Sequence, residues 1–198
     1  MNGERLQWTG WDRRRGEDVA DDGVAPADDG TARYELLAVA GRGFRPPDRL
    51  TVRAVGDDPE PDGDAGGWAD YRSAWTAVYR QVAETEPERV TPFAIYLLGV
   101  NPPADASVGE LEEFNDFYTN VHLVEVAERR HALRAVRFEL ETELRAPAKG
   151  APRFLATYEV DEASAAQRRH VGPPYSKGPE VWQRHATPWR LWYRRLAG

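Results

Sequence analysis

The sequence predicts an α+β protein in which helices cover one face of an antiparallel sheet. Three observations support this prediction. Residues 92–100, PFAIYLLGV, are almost continuously apolar, which is typical of a central strand. Residues 110–129 have the spacing of an amphipathic helix. Residues 133–144 alternate apolar and polar side chains, which predicts a strand with one solvated face.

The other elements follow in chain order. Residues 1–31 are acidic and glycine-rich and predict a polar, partly flexible lead-in. Strands are expected at residues 33–40 and 49–55, and helical spacing of aromatic side chains predicts a helix at residues 68–84. Ser107 and Glu110 form a capping-box pattern before the amphipathic helix. A strand at 153–160, a short helix at 162–169 and a closing strand at 188–196 complete the chain.

From residue 92 the predicted order is β–α–β–β–α–β, the ferredoxin-like arrangement. We therefore expect three segments: the lead-in 1–31, an N-terminal α+β half-module 32–90 and a ferredoxin-like module 91–198. The second and third segments are compatible with a single compact domain.

Composition excludes several classes of protein. The chain has 198 residues and no cysteine, so disulfides, thiolate nucleophiles and cysteine metal sites are excluded. Its net charge of −7 argues against general nucleic-acid binding, although residues 129–198 carry 14 basic and 7 acidic side chains. That asymmetry suits either an anionic partner, such as an acyl carrier protein, or a solvated sheet edge. No apolar run is long enough for a membrane span or a signal peptide, which predicts a cytoplasmic protein.

The candidate catalytic residues lie on the helix at 110–129. At about 100° per residue, Asn115, Tyr118, His122 and Glu125 form a stripe at the border of the apolar face. A buried polar group is costly unless it finds a partner, so an inward histidine beside a tyrosine indicates a site. A core histidine bonded to a backbone carbonyl explains the same pattern.

These side chains suit acid–base chemistry without a cofactor. Neutral imidazole at His122 can take a proton from an activated carbon or a phenol, Tyr118 can donate to the developing oxyanion, and Asn115 can position either partner. We also expect aromatic and polar side chains to contact the substrate. They are Phe114, Phe117, Glu125, Tyr96, Tyr158, Tyr175, Trp182 and Trp189. A core and dimer seam is the alternative reading of the aromatic group near the C-terminus.

No metal site is predicted, because no HExxH or paired His-carboxylate spacing occurs. A haem ligand could come from one of four histidines, but no spacing favours any of them. These are His122, His131, His170 and His185.

Several segments together resemble the EthD-like branch of the dimeric α+β barrel superfamily. They are FNDFYTNVH, LRAVRFEL, PRFLATYEV, PPYSKGPEVW and PWRLWYRR, and the resemblance covers about residues 92–197. The chain departs from the usual family pattern at three places. The family more often has tryptophan at the position of Phe117, and it has a carboxylate just after the tyrosine, where this chain has Thr119 and Asn120. It also commonly has proline near the position of Val124.

The resemblance implies a homodimer whose facing sheets enclose an apolar cavity near His122. It also implies a cofactor-independent enzyme that cyclises, isomerises or dehydrates a hydrophobic, polyketide-like substrate. Two alternatives stay open: a cofactor-free monooxygenase acting on a phenol, and a non-catalytic protein that binds a hydrophobic ligand.

Overall fold

Eight antiparallel strands close into a single barrel. The computed structural model describes residues 4–13, 30–39, 46–57, 59, 71–85, 91–145, 150–167 and 174–196. The strands are β1 (Arg5–Arg13), β2 (Ala32–Val39), β3 (Arg49–Ala54), β4 (Tyr71–Glu84), β5 (Ala94–Asn101), β6 (Arg134–Arg145), β7 (Phe154–Val160) and β8 (Ala186–Arg195). The helices are α1 (Val108–Phe117), α2 (Leu123–Arg129), α3 (Glu162–Ala166) and α4 (Glu180–Gln183). One π-helical turn, Tyr118–His122, joins α1 to α2.

The order of strands around the barrel is β1-β3-β2-β8-β5-β7-β6-β4. Each group of four consecutive strands therefore has the same neighbour order: fourth, first, third, second. The two groups meet at two seams, where Tyr34 of β2 pairs with Arg195 of β8 and Gln81 of β4 pairs with Phe138 of β6. Both seams are antiparallel, so the sheet closes within one chain.

The predicted ferredoxin-like α+β fold, and with it the dimeric α+β barrel, is wrong. The described part of the chain is mostly strand, its helices are few and short, and one chain supplies all eight strands of the barrel. The resemblance to the EthD-like branch implied the α+β fold and is wrong on the same ground. The N-terminal strands complete this barrel, so they are not an α+β half-module. The homodimer stays a prediction, but a second copy is not needed for closure.

The helix predicted at residues 68–84 is a strand over its described part, since β4 spans Tyr71–Glu84. Trp75, Ala77 and Tyr79 alternate into the barrel interior with period two. The spacing of Trp75 and Tyr79 also fits one helical turn, which made the helical reading possible. The segment is rich in aromatic and β-branched residues, and these favour strands. Similarly, β1 lies within the predicted lead-in 1–31; the three-segment division itself stays a prediction.

Within the described residues, the elements predicted after residue 92 are confirmed, as are the strands at 33–40 and 49–55. Residue 40 and residues 168–169 of these predictions lie outside the described residues. The capping box before α1 is present. The Glu110 backbone N–H donates to Ser107 Oγ at 3.3 Å, and the Ser107 N–H donates to Glu110 Oε2 at 2.8 Å. None of the described helices is long and apolar enough to cross a bilayer.

Alternating side chains of the barrel feed two separate cores. On β5, Ile95 and Leu97 point into the barrel interior, whereas Tyr96 and Leu98 point outward. The outward set packs under α1, α2 and α4 and forms what we call the outer aromatic layer. Its main aromatic members are Tyr96, Phe114, Tyr118, Phe154, Tyr158, Trp182 and Trp192. The sheet thus separates the outer aromatic layer from the barrel interior.

Large aromatic rings close one end of the interior. Trp75 and Trp189 lie with ring centroids 5.0 Å apart. Two glycines make room for them: a Cβ atom at Gly10 would collide with the Trp75 ring, and one at Gly99 would lie 2.5 Å from Pro152 Cγ. The opposite end of the barrel is less filled.

Candidate active site under the helices

The π-helical turn Tyr118–His122 determines which side chains face the sheet. A π turn accommodates one more residue than an α turn, and such turns are frequent at functional sites. Before it, Phe114 and Tyr118 are fully buried. Uniform spacing of about 100° per residue would place Val124 on the same broad face as Phe114 and Tyr118. After the turn, however, Leu123 and Val126 are buried while Val124 is exposed, so the buried face has shifted by about one position. The uniform helical projection was wrong from this turn onward.

His122 lies at the edge of the outer aromatic layer, with its ring partly buried. Its ring centroid is 4.6 Å from that of Trp182, 5.4 Å from that of Tyr175 and 5.9 Å from that of Tyr118. Its buried Nδ1 atom has no hydrogen-bond partner among the described residues. Burial, followed by the nearby His185, lowers the pKa of His122 to about 4. The imidazole is therefore neutral at pH 7 and can accept a proton.

Tyrosine hydroxyls lie deeper in the same layer. Tyr118 and Tyr158 are fully buried, and within the described residues neither hydroxyl has a hydrogen-bond partner. Burial raises the pKa of both, and the nearby Tyr118 and Tyr96 raise the pKa of Tyr158 further. Both phenols therefore stay protonated and able to donate. Unsatisfied buried hydroxyls are uncommon in proteins and call for an explanation such as a catalytic role or an absent ligand.

A buried cation lies against Tyr118. The guanidinium carbon of Arg137 is 4.4 Å from the Tyr118 ring centroid and 4.3 Å from that of Phe154. Arg137 is only 3% exposed, and burial lowers its pKa to about 10. Among the described residues no carboxylate lies within ion-pair distance of it, although its pKa keeps it charged at pH 7. Since buried charges are normally paired, this guanidinium would favour an anion placed next to it.

Two residues of the predicted stripe are held by other partners. Asn115 Oδ1 accepts a hydrogen bond from Arg137 Nη2 at 2.5 Å, while Thr119 Oγ1 accepts from Nη1 at 2.8 Å. Asn115 therefore positions the arginine rather than the imidazole. Glu125 Oε2 accepts from the Ser176 N–H at 3.1 Å, and this bond and the Ser176 hydroxyl lower its pKa. Its negative charge also acts on His122 from nearby.

The structure brings most of the predicted site residues together. The predicted site residues that lie in the outer aromatic layer or at its edge are Phe114, Phe117, Tyr118, His122, Tyr96, Tyr158, Tyr175 and Trp182. Trp189 is separated from them, since it points into the barrel interior. The expectation that the imidazole lies between facing sheets is wrong: it lies between the helices and the outer face of the barrel.

Sequence reasoning missed Arg137. Alternation along residues 133–144 assigned it to the solvated face of the strand, but α1 and the π turn cover that face at this position. A signal was present in hindsight: Ala135 and Arg137 share the face, and a small side chain beside an arginine is compatible with a covering helix. Which face the helix covers is a tertiary property that the strand's own pattern does not contain.

Three of the four histidines considered as haem ligands lie within the described residues. Within the described ranges, no group of three or more histidine, aspartate or glutamate side chains could hold a metal ion. His131 is exposed at the end of α2, and His185 stacks on Trp182 with ring centroids 4.2 Å apart. His170 lies outside the described residues.

Comparison with known proteins adds no relative. No family model matches the chain, and no curated protein matches its sequence closely enough to indicate common ancestry.

Proposed function

We propose that the protein is a cofactor-independent enzyme that abstracts a proton from a hydrophobic substrate and stabilises the resulting oxyanion. The observation that carries this proposal is the buried Arg137 guanidinium, which lies against Tyr118 without a carboxylate partner among the described residues. Because Arg137 lies next to the outer aromatic layer, it supplies a positive charge where an enolate or phenolate would form. We further propose that the enzyme acts in the cytoplasm.

The division of roles follows from the two opposite pKa shifts. His122 is neutral at pH 7 and acts as the base, whereas Tyr118 keeps its proton and acts as a donor. Pairs of groups whose environments move their pKa values apart are typical of acid–base sites. Asn115 acts as a positioning residue because it holds Arg137 through a hydrogen bond.

The chemical step begins with transfer of a carbon-bound proton onto the imidazole of His122, from a carbon that is α to a carbonyl or conjugated with one through an aromatic ring. The C–H electron pair becomes the enolate, whose oxygen carries the negative charge opposite Arg137 and Tyr118. Returning the proton to another carbon isomerises the substrate. Loss of hydroxide, which takes up that proton and leaves as water, dehydrates the substrate. Attack of the enolate carbon on a second carbonyl cyclises it, and the proton then goes to the new alkoxide oxygen. The aromatic walls favour a flat, conjugated, polyketide-like substrate.

Anthrone, a tricyclic ketone with an acidic methylene group, is a suitable probe. We expect the protein to accelerate exchange of its methylene protons in D₂O under argon, followed by NMR. His122→Ala should lower the accelerated rate by about 10²-fold or more, since general-base catalysis contributes that much. Arg137→Met, which keeps an apolar side chain of similar length, should cost about 10²-fold if the arginine stabilises the oxyanion.

His131→Asn is the matched control, because His131 is exposed and its φ of 50° is tolerated by asparagine. It should exchange anthrone at the wild-type rate. Exchange no faster than in buffer, or undiminished exchange in His122→Ala, would overturn the proposal. Anthrone binding without acceleration would favour the non-catalytic alternative. Oxygen consumption coupled to turnover in air would favour the monooxygenase.

A further inference from the structure

The open end of the barrel contains a cavity on the opposite side of the sheet from His122. Its volume is about 240 Å³. Apolar side chains line its floor: Leu6, Trp8, Val52, Ile95, Val136 and Phe138. A volume of this size corresponds to about eight water molecules of liquid, or a ligand of about ten non-hydrogen atoms. Eight-stranded barrels are wide enough to hold one small ligand in this way.

Charged side chains gather at the mouth of this cavity. Arg134, Glu159 and Arg195 line it, and Arg134 Nη1 lies 3.9 Å from Glu159 Oε1. A shorter bond of 2.6 Å joins Arg134 Nη2 to Glu84 Oε2, so this arginine is already shared. Burial raises the pKa of Glu159, while Arg134 and Arg195 act in the opposite direction. Arg195 is exposed and forms no ion pair with any described residue.

Tyr34 and Arg195 are the donors at the mouth that could face a ligand. Tyr34 lines the cavity and is 6% exposed, and burial raises its pKa to about 12. The charge that acts on it most is Arg195, which lowers its pKa, followed by one opposing carboxylate, Glu159, and a second cation, Arg134. Arg134 is shared with the carboxylates of Glu159 and Glu84, and Glu4 also lines the cavity. The groups left to bind an anion are therefore Arg195 and the protonated phenol of Tyr34.

An unused donor lies on the floor of the cavity. Trp8 is 2% exposed, and its indole Nε1–H has no acceptor among the described residues. The ring itself is held by an edge contact with Phe138, with centroids 5.5 Å apart. An apolar ligand tail would not accept this hydrogen bond, so Trp8 does not select the ligand. Its position on the cavity floor instead makes its indole N–H a direct reporter of whether the floor is occupied.

We propose that the barrel interior is a second binding site, which takes a small carboxylic acid with an apolar tail. The tail occupies the floor beside Trp8 and Phe138, and the carboxylate accepts hydrogen bonds from Arg195 and the Tyr34 hydroxyl at the mouth. This site is separate from the outer aromatic layer and His122, because strands of the barrel lie between them. Its occupant is expected to change barrel stability without entering the proton-transfer site.

Octanoate, which has ten non-hydrogen atoms, tests the proposal together with 1-octanol and octylammonium. Isothermal titration of the full chain should give a Kd for octanoate of about 1 mM or tighter, and at least about tenfold weaker binding of the other two. The Trp8 indole N–H signal in a ¹⁵N-correlated spectrum, identified by its loss in Trp8→Phe, should shift on addition of octanoate.

Two variants locate the site. Arg195→Gln should weaken octanoate binding about tenfold and reduce its advantage over octanol, whereas Arg184→Gln should not. Arg184 is a matched control because it is bonded to Asp105 at 3.1 Å on the outer surface. Ala32→Leu, at the mouth of the cavity, should abolish binding. The proposal is overturned by equal binding of octanoate and octanol, by binding that leaves the Trp8 signal unmoved, or by no binding of octanoate at all.

Discussion

Replacing His122 with glutamine should remove part of the acid sensitivity of the fold. Burial lowers the pKa of His122 from 6.5 to about 4 in the folded protein. At pH 7 the imidazole is neutral in both the folded and the unfolded chain, so it contributes no pH dependence there. As the pH falls below 6.5, the His122 imidazole becomes protonated in the unfolded chain, whereas in the folded protein it stays neutral down to about pH 4. The free energy of unfolding must therefore fall over this range.

The size of this effect follows from the same shift. Each unit of pKa difference corresponds to about 1.4 kcal/mol, so the full effect at low pH is about 3 kcal/mol. At pH 4.5 it amounts to about 2 kcal/mol relative to pH 7, because the folded protein has begun to take up the proton. Since the ring is partly exposed, solvent screening makes this value an upper estimate.

Urea unfolding at pH 7 and pH 4.5, followed by tryptophan fluorescence, measures the effect. Wild type and the His131→Asn control should lose the same stability between these pH values. His122→Gln should lose about 2 kcal/mol less, because the imidazole that the unfolded chain protonates over this range is no longer present. If the wild type and His122→Gln differ by less than about 0.5 kcal/mol, the usual error of additivity, the imidazole is not desolvated and our reading of the site fails.

Three further substitutions test the packing. Gly99→Ala should destabilise the protein by about 1–3 kcal/mol in urea unfolding, because its Cβ would lie 2.5 Å from Pro152 Cγ; a neutral effect would mean that the closed end of the barrel is loosely packed. Tyr79→Phe should cost about 1–3 kcal/mol, since the hydroxyl donates to the buried Pro152 carbonyl at 2.8 Å; no loss in thermal unfolding would contradict that bond. Ser107→Ala should cost about 1 kcal/mol by removing the N-cap of α1. Thermal unfolding followed by circular dichroism measures this loss, and unfolding identical to that of the wild type would show that the cap is unimportant.

Gly109→Ala is the matched control for Gly99→Ala. Nothing lies within 4 Å of a Cβ atom built at Gly109, which is inside α1. Because alanine favours helix over glycine by about 1 kcal/mol, this variant should be slightly more stable than wild type. Destabilisation by both alanines to the same extent would show that the crowding at Gly99 has no specific effect.

Local elements could be predicted from the sequence, but their assembly could not. Strand β5 and helix α1 carry strong local signals in hydrophobic pattern and capping, so their positions were predicted correctly. Barrel closure depends on pairs such as Tyr34 with Arg195, which are distant in sequence and share no local pattern. The aromatic spacing of β4 fitted both a helix and a strand, and only the neighbouring strands β1 and β6 decide between them.

The candidate site was predicted in part for the same reason. Tyr118 and His122 were identified because polar residues on an apolar helical face are unusual. The sequence does not reveal the π turn between them, which shifts the inward face by about one residue after Tyr118. Asn115 was assigned to the substrate or the imidazole because its true partner, Arg137, lies on a strand whose covered face local alternation does not identify.

The two seams of the barrel have a consequence for how the chain reaches its native state. Strand β8, which comes last in chain order among the described strands, fits between β2 and β5, and β4 pairs with both β1 and β6. Until these distant partners meet, either group of four strands has open edges available to other chains. Because such nonlocal pairings slow the search, folding should take roughly milliseconds to seconds or longer. Aggregation should compete with closure during that interval, so refolding yield should fall as protein concentration rises.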